Sequence, residues 1–121
     1  MTKSILIVDD EPDFLSLTAL FLKRNGYELF TAPDGEKALL AVKEKKPDFI
    51  LLDIRMPGMS GYEVLEKIRK DQSVPNIPVV FLTADTRICP PENLARLGAQ
   101  GYFLKPFETG ELLAKIRQHL D

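Results

Sequence analysis

Five short apolar runs, each closing on polar residues and each followed by a longer stretch with apolar residues at helical spacing, constrain this chain more than any other feature. Such alternation, here without an internal repeat, is the mark of βα units that build a parallel sheet. Ile5-Leu6-Ile7-Val8 is apolar on both faces, as a strand covered by helices on both sides must be, and it ends at Asp9-Asp10. Pro12 suits the first turn of a helix, Phe14, Leu17, Phe21 and Leu22 recur at helical spacing, and Asn25-Gly26 supplies a left-handed stop. The first helix is therefore expected from about Glu11 to Asn25. Tyr27 to Ala32 reads as the second strand, and Asp34 can cap a helix that turns Ala38, Leu39 and Val42 inward before Pro47 prevents continuation.

Phe49-Ile50-Leu51-Leu52 is the third strand and ends at Asp53; the turn-rich loop from Met56 to Gly61 follows, with Val64, Leu65 and Ile68 marking the next helix. Pro78 to Leu82 is the fourth strand and ends at Thr83. A segment with Leu94 and Leu97 leads to the fifth, Gly101 to Leu104, which ends at Lys105-Pro106. Leu112, Leu113, Ile116 and Leu120 complete a last helix.

In open parallel sheets, ligands bind outside the carboxyl ends of the strands. Those ends carry Asp9, Asp10, Asp53, Thr83 and Lys105. Three carboxylates held together either raise a pKa or recruit a cation, and oxygen ligands of this kind suit Mg²⁺ or Mn²⁺. Lys105 can form a charge-assisted bond to a phosphoryl oxygen and Thr83 can donate its hydroxyl to another, which are the parts for phosphoryl transfer. A carboxylate can be the nucleophile, giving an aspartyl phosphate, and Asp53 is the acid among them without an acidic neighbour.

Composition narrows the alternatives. At 121 residues, 45% apolar and 28% charged, the chain has the make-up of one ordinary globular domain, expected over residues 1–121. Its sixteen basic and eighteen acidic residues are dispersed, with a net charge of −2 and no basic block, so direct nucleic-acid binding is not expected. Cys89 is the single cysteine, which excludes an intrachain disulfide. No run approaches the roughly 18 apolar residues of a membrane span and Met1 to Glu11 lacks a secretory pattern, so the expected location is cytoplasmic, away from membranes. Because the chain ends with its last helix, a further domain is not expected within it; it reads as a stand-alone protein or a piece of a longer one. His119 reads as a solvated cation complementing the dipole of that helix.

The segments Val8-Asp9-Asp10-Glu11, Leu52-Asp53-Ile54-Arg55-Met56-Pro57-Gly58-Met59-Ser60-Gly61, Leu82-Thr83-Ala84 and Gly101-Tyr102-Phe103-Leu104-Lys105-Pro106-Phe107 together resemble the bacterial response-regulator receiver family across essentially the whole chain. The resemblance implies a flavodoxin-like, doubly wound, three-layer α/β sandwich around a five-stranded parallel sheet in order 2-1-3-4-5. Helices one and five would lie on one face and two to four on the other. It further implies that Asp10, Asp53 and the backbone carbonyl of Arg55 ligate Mg²⁺, with Asp9 acting largely through water, and that Lys105 bridges to the phosphoryl group. The implied donor is a phosphohistidine on a sensor histidine kinase or histidine phosphotransfer protein, with an exposed stripe on helix one as a candidate contact. Water later attacks the aspartyl phosphate. Such a domain is a phosphoacceptor that assists its own phosphorylation and dephosphorylation, not an enzyme acting on a separate substrate.

Output by resemblance is a two-state switch in which the Thr83 hydroxyl follows the phosphoryl group and the Tyr102 ring turns inward. Turning such a population from 1:99 to 99:1 takes about 5.5 kcal/mol. The surface formed by helix four, strand five and helix five would then meet a downstream target, an output domain or a second copy of the chain. By the same resemblance the Lys105–Pro106 bond is cis. Gly61 and Gly98 read as turn or close-packing glycines. Two features depart from the family pattern or tune it. Pro90-Pro91 shortens the expected fourth helix to about Pro91 to Leu97, and Arg55 with Asp85 forms an expected ion pair over the site. The rivals are a flavodoxin-like cofactor carrier, opposed by the acids after strand one, a metal-dependent phosphatase, opposed by the spacing of those acids, and a receiver-like interaction module not regulated by phosphorylation.

Overall fold

Strand β1 (Ser4–Val8) lies inside a parallel sheet between β2 (Glu28–Ala32) and β3 (Phe49–Asp53), and the sheet continues through β4 (Val79–Thr83) to β5 (Gly101–Leu104), giving the order β2-β1-β3-β4-β5. The structure is a computed structural model describing residues 2–84, 96–105 and 107–120. Every residue of β1, β3 and β4 is buried, whereas the edge strands β2 and β5 are partly exposed. That difference explains why the inner strands read as unbroken apolar runs.

The faces of the sheet build separate cores. Leu6, Val8, Ile50, Leu52, Val79 and Phe81 pack against α2 (Gly35–Lys45) and α3 (Gly61–Lys70) through residues such as Val42, Val64 and Ile68. Ile5, Ile7, Leu51, Val80 and Leu82 pack against Leu22 of α1 (Pro12–Arg24) and against Leu112 and Ile116 of the C-terminal helix (Thr109–Leu120). The three-layer α/β architecture and strand order are those the sequence led us to expect. Helix four lies outside the described residues apart from helical Arg96-Leu97, as do the Arg55–Asp85 pair and the Lys105–Pro106 bond.

Local signals set the element ends. Gly26, at φ 97°, reverses the chain after α1 while the Tyr27 N–H donates to the Leu22 carbonyl at 3.3 Å. The Asp34 carboxylate accepts from the Lys37 N–H at 2.9 Å to cap α2, and the Ser60 hydroxyl accepts from the Glu63 N–H at 3.3 Å to cap α3. Lys46 takes a left-handed φ of 44° immediately before Pro47.

Three expectations are corrected. Leu17 is 69% exposed, because Leu15, Thr18 and Leu22 form the inward stripe of α1 and Leu17 lies across the helix from it. Tyr27 is buried but precedes β2, its backbone being used in the turn. His119 is not a solvated cation: its ring lies 5.9 Å from that of Phe49, its Nε2 is buried without a hydrogen-bond partner, and burial, then Lys115, pushes its pKa down. The last turn of the C-terminal helix folds onto the start of β3, which removes the water a helix-end cation needs.

Candidate functional site

A strand turns successive side chains to opposite faces, so the residue that leaves each strand inherits a side from its register. Asp9 continues the row of Ile5 and Ile7, Asp53 that of Phe49 and Leu51, and Lys105 that of Phe103, all belonging to the face covered by α1 and the C-terminal helix. Backbone bonds hold the alternation past the last strand residues: the Asp9 N–H donates to the Ala32 carbonyl at 3.1 Å and the Lys105 N–H to the Thr83 carbonyl at 2.8 Å. Two carboxylates and an ammonium thus meet at the carboxyl edge of the sheet.

Lys105 Nζ donates to Asp9 Oδ2 at 2.5 Å and lies 3.7 Å from Glu11 Oε1 and 4.0 Å from Asp53 Oδ2. The other oxygen of Asp9 accepts from the Glu11 N–H at 2.9 Å. Asp9 is fully buried with a protein donor on each oxygen, so water-mediated contact with a cation suits it better than direct ligation. Asp10 is exposed, and ligand oxygens of Asp9, Asp10 and Asp53 lie within 4.8 Å of one another.

Asp53 is buried, and its pKa is pushed up to about 7. Burial is the largest cause and the charge of Asp9 the next; Lys105 pulls the other way, Asp10 raises it again, and a hydrogen bond from the Arg55 backbone lowers it. Burial pulls the Lys105 ammonium down, but its bond to Asp9 and the charges of Asp53, Asp9 and Glu11 outweigh burial and leave its pKa raised. The carboxylates of Asp9, Asp10, Asp53 and Glu11 outnumber the one ammonium among them, an excess of negative charge that a divalent cation reduces. The donor set is all oxygen, as hard cations such as Mg²⁺ require.

Thr83 is buried at the end of β4. It pairs with Leu104 as Phe81 pairs with Tyr102, so Thr83 and Tyr102 lie on the same sheet face, two register positions apart. Tyr102 is 39% exposed in this structure. Sequence reasoning missed the aromatic surroundings of Lys105. The ammonium sits 4.4 Å from the centroid of the Phe14 ring, and Phe14 meets the Phe107 ring edge-on at 6.0 Å. Helical spacing identified Phe14 as an inward residue, but no local signal says what its ring faces.

The profile of the response regulator receiver domain matches residues 5–117. DNA-binding response regulators named MtrA from Mycolicibacterium smegmatis and Mycobacterium leprae are each 38% identical over 120 residues, covering 99% of this chain and 51% and 52% of those proteins. The chain thus spans about half the length of the curated relatives it matches. Among solved structures, the chemotaxis protein CheY4 of Vibrio cholerae superposes with a TM-score of 0.88 at 30% identity, covering 98% of this chain and 99% of that one. A putative response regulator from Chloroflexus aurantiacus gives 0.90 at 32% identity, covering 99% and 98%. No helix among the described residues is long and apolar enough to cross a membrane.

Proposed function

The chain belongs to the response regulator receiver domain family, and on that premise we propose that Asp53 is its phosphoacceptor, taking a phosphoryl group from a phosphohistidine and passing the signal on through a change of surface. Phosphorylation on aspartate is characteristic of this family. The observation that carries the reading is Asp53 itself, a buried carboxylate at the end of a central strand, beside an acid pair on one side and an ammonium on the other.

Transfer needs one Asp53 oxygen to attack phosphorus as the donor's P–N bond breaks and the imidazole leaves with a proton. Asp53, Asp10 and the Arg55 carbonyl would hold the Mg²⁺ ion, with Asp9 behind a water. When bound, Mg²⁺ neutralises charge on the attacking carboxylate and on the phosphoryl oxygens. Lys105, held between Asp9 and Asp53, turns its remaining N–H bonds to a phosphoryl oxygen. The Thr83 hydroxyl donates to another, and the Tyr102 ring, on the same face, moves inward to follow it. Hydrolysis by water then restores the carboxylate.

The donor is a sensor histidine kinase or a histidine phosphotransfer protein, and exposed Leu17 and Leu20 on α1 offer it an apolar landing beside the site. Tyr102 and Leu104 on β5, with the C-terminal helix and the segment before β5, form the output surface for a target protein, an output domain or a second copy. Relatives named as DNA-binding suggest a nucleic-acid-binding output region as one such domain. The setting is cytoplasmic, where such kinases present phosphohistidine.

Intact mass after incubation with phosphoramidate or acetyl phosphate, with and without Mg²⁺, tests the reading on the parent chain and Asp53→Ala. A Mg²⁺-dependent gain of one phosphoryl group that vanishes in the variant is expected. No gain by a folded parent chain, from small donors or a phosphohistidine protein, would instead favour an interaction module not regulated by phosphorylation.

A further inference from the structure

The face of the Phe14 ring lies against the Lys105 ammonium, which also meets the carboxylates of Asp9 and Glu11. The centroid distance of 4.4 Å is well inside the roughly 6 Å limit for attraction between a cation and an aromatic face. The ring is braced. Phe107 meets it edge-on, with an interplanar angle of 85°, and Phe103 in turn packs on Phe107 at 5.6 Å. Phe103 and Phe107 flank Lys105 two residues to either side, so the same strand end supplies the ammonium and the support for the ring that covers it. The lysine side chain is left 14% exposed.

A lysine stem has several rotamers and a strongly hydrated head, so an ammonium in a cleft must be denied its route to water. Asp9 holds it through one directional bond, which does not fix the other two N–H groups that Lys105 turns to a phosphoryl oxygen. An aromatic face attracts without a preferred N–H direction. It can therefore hold the ammonium both before and after that turn, while covering part of it from water.

The geometry points to Phe14 as a positioning residue for phosphoryl transfer, its ring holding the Lys105 ammonium between Asp9 and Asp53 in both the free and the phosphorylated chain. This rests on the reading of Asp53 as phosphoacceptor and Lys105 as the ammonium that meets the phosphoryl group. No step is chemically new: the ring forms and breaks no covalent bond.

The test replaces Phe14 by Leu, by Tyr and by fluorinated phenylalanines, which keep the ring's bulk while draining negative charge from its face. Phosphorylation by phosphoramidate with Mg²⁺ is followed by intact mass. Phe14→Leu should slow it by about three- to tenfold and Phe14→Tyr should hold the parent rate, with rates falling stepwise as fluorines are added. Melting temperature and Mg²⁺ affinity should change little along the fluorinated series. The Lys105 ε-methylene protons should show an upfield ring-current shift that disappears in Phe14→Leu. A phosphorylated parent with equal rates across the fluorinated series would overturn this inference alone. A parent that takes no phosphoryl group would overturn the underlying reading with it, and an unshifted Lys105 methylene in the parent would overturn the contact itself.

Discussion

Asp53 is the residue at which folding and function pull against each other. Its carboxyl is buried near Asp9 and Asp10, and its pKa is raised from 3.8 to about 7. Between those values the folded chain holds a proton on Asp53 that the unfolded chain has released, so the contribution of Asp53 to metal-free stability falls as pH rises through the window and levels off above it. Asp53→Asn removes the penalty. It should stabilise the metal-free chain by on the order of 2 kcal/mol at pH 8 and by almost nothing at pH 4, measured by urea unfolding. A gain of the same size at both pH values would assign the effect to packing. The same proton competes with a cation, so calorimetric titration should show Mg²⁺ affinity weakening as pH falls below about 7, approaching roughly tenfold per unit. An affinity flat from pH 8 to pH 5.5 would detach the cation from Asp53.

At the scale of elements, α3 is the part most tightly referenced to the site. Its first residue, Gly61, donates its N–H to the Ile54 carbonyl at 2.8 Å, and a Cβ there would overlap the Asp53 carbonyl oxygen and stand 2.9 Å from Ile54 Cα. Backbone cannot step aside as a flexible side chain can, so Gly61→Ala should cost about 3 kcal/mol or displace Asp53. Gly110→Ala, where a Cβ meets nothing within 4 Å, should be neutral or stabilise by about 0.5 kcal/mol. Equal unfolding midpoints for the two variants would contradict this account. At its other end α3 is tied by Arg69, whose Nη2 donates at 2.8 Å to the carbonyls of both Ile77 and Gly98. Burial lowers the pKa of Arg69, and its Nη1 is buried without a hydrogen-bond partner, which offsets part of the gain. Arg69→Met should therefore cost about 2 kcal/mol rather than the larger sum of two charged bonds, and hydrogen exchange should rise at Gly98 to Gln100. Unchanged exchange there would mean that Arg69 does not tie that loop.

Across the whole molecule, a pH dependence opposite to that of Asp53 arises at the edge of the sheet opposite the site. Below pH 6.5 the unfolded chain takes up a proton on His119 that the folded chain resists, so the contribution of His119 to stability falls as pH drops through 6.5 and stops falling below the lowered folded value, opposite in sign to that of Asp53. His119→Phe should raise the melting temperature at pH 5 and leave it nearly unchanged at pH 8; an equal rise at both would point to packing against Phe49 instead. Much of this architecture was legible in the chain itself. Unbroken apolar runs fit strands buried on both faces, turn and cap residues such as Gly26 and Asp34 mark where elements end, and the polar residues closing those runs include Asp9, Asp10, Asp53 and Lys105, which the fold brings together. Those signals are local, set by a backbone whose side chains repeat every 2 or 3.6 residues. Tertiary structure alone decided that Asp9 is buried while Asp10 is exposed, that Lys105 pairs with Asp9, that the Phe14 ring covers that ammonium, and that Leu17 faces out while His119 turns in. The first two depend on which strands lie side by side and which face of the sheet each helix covers, and the others on how a helix is rotated and seated; all are settled by contacts between residues far apart in sequence.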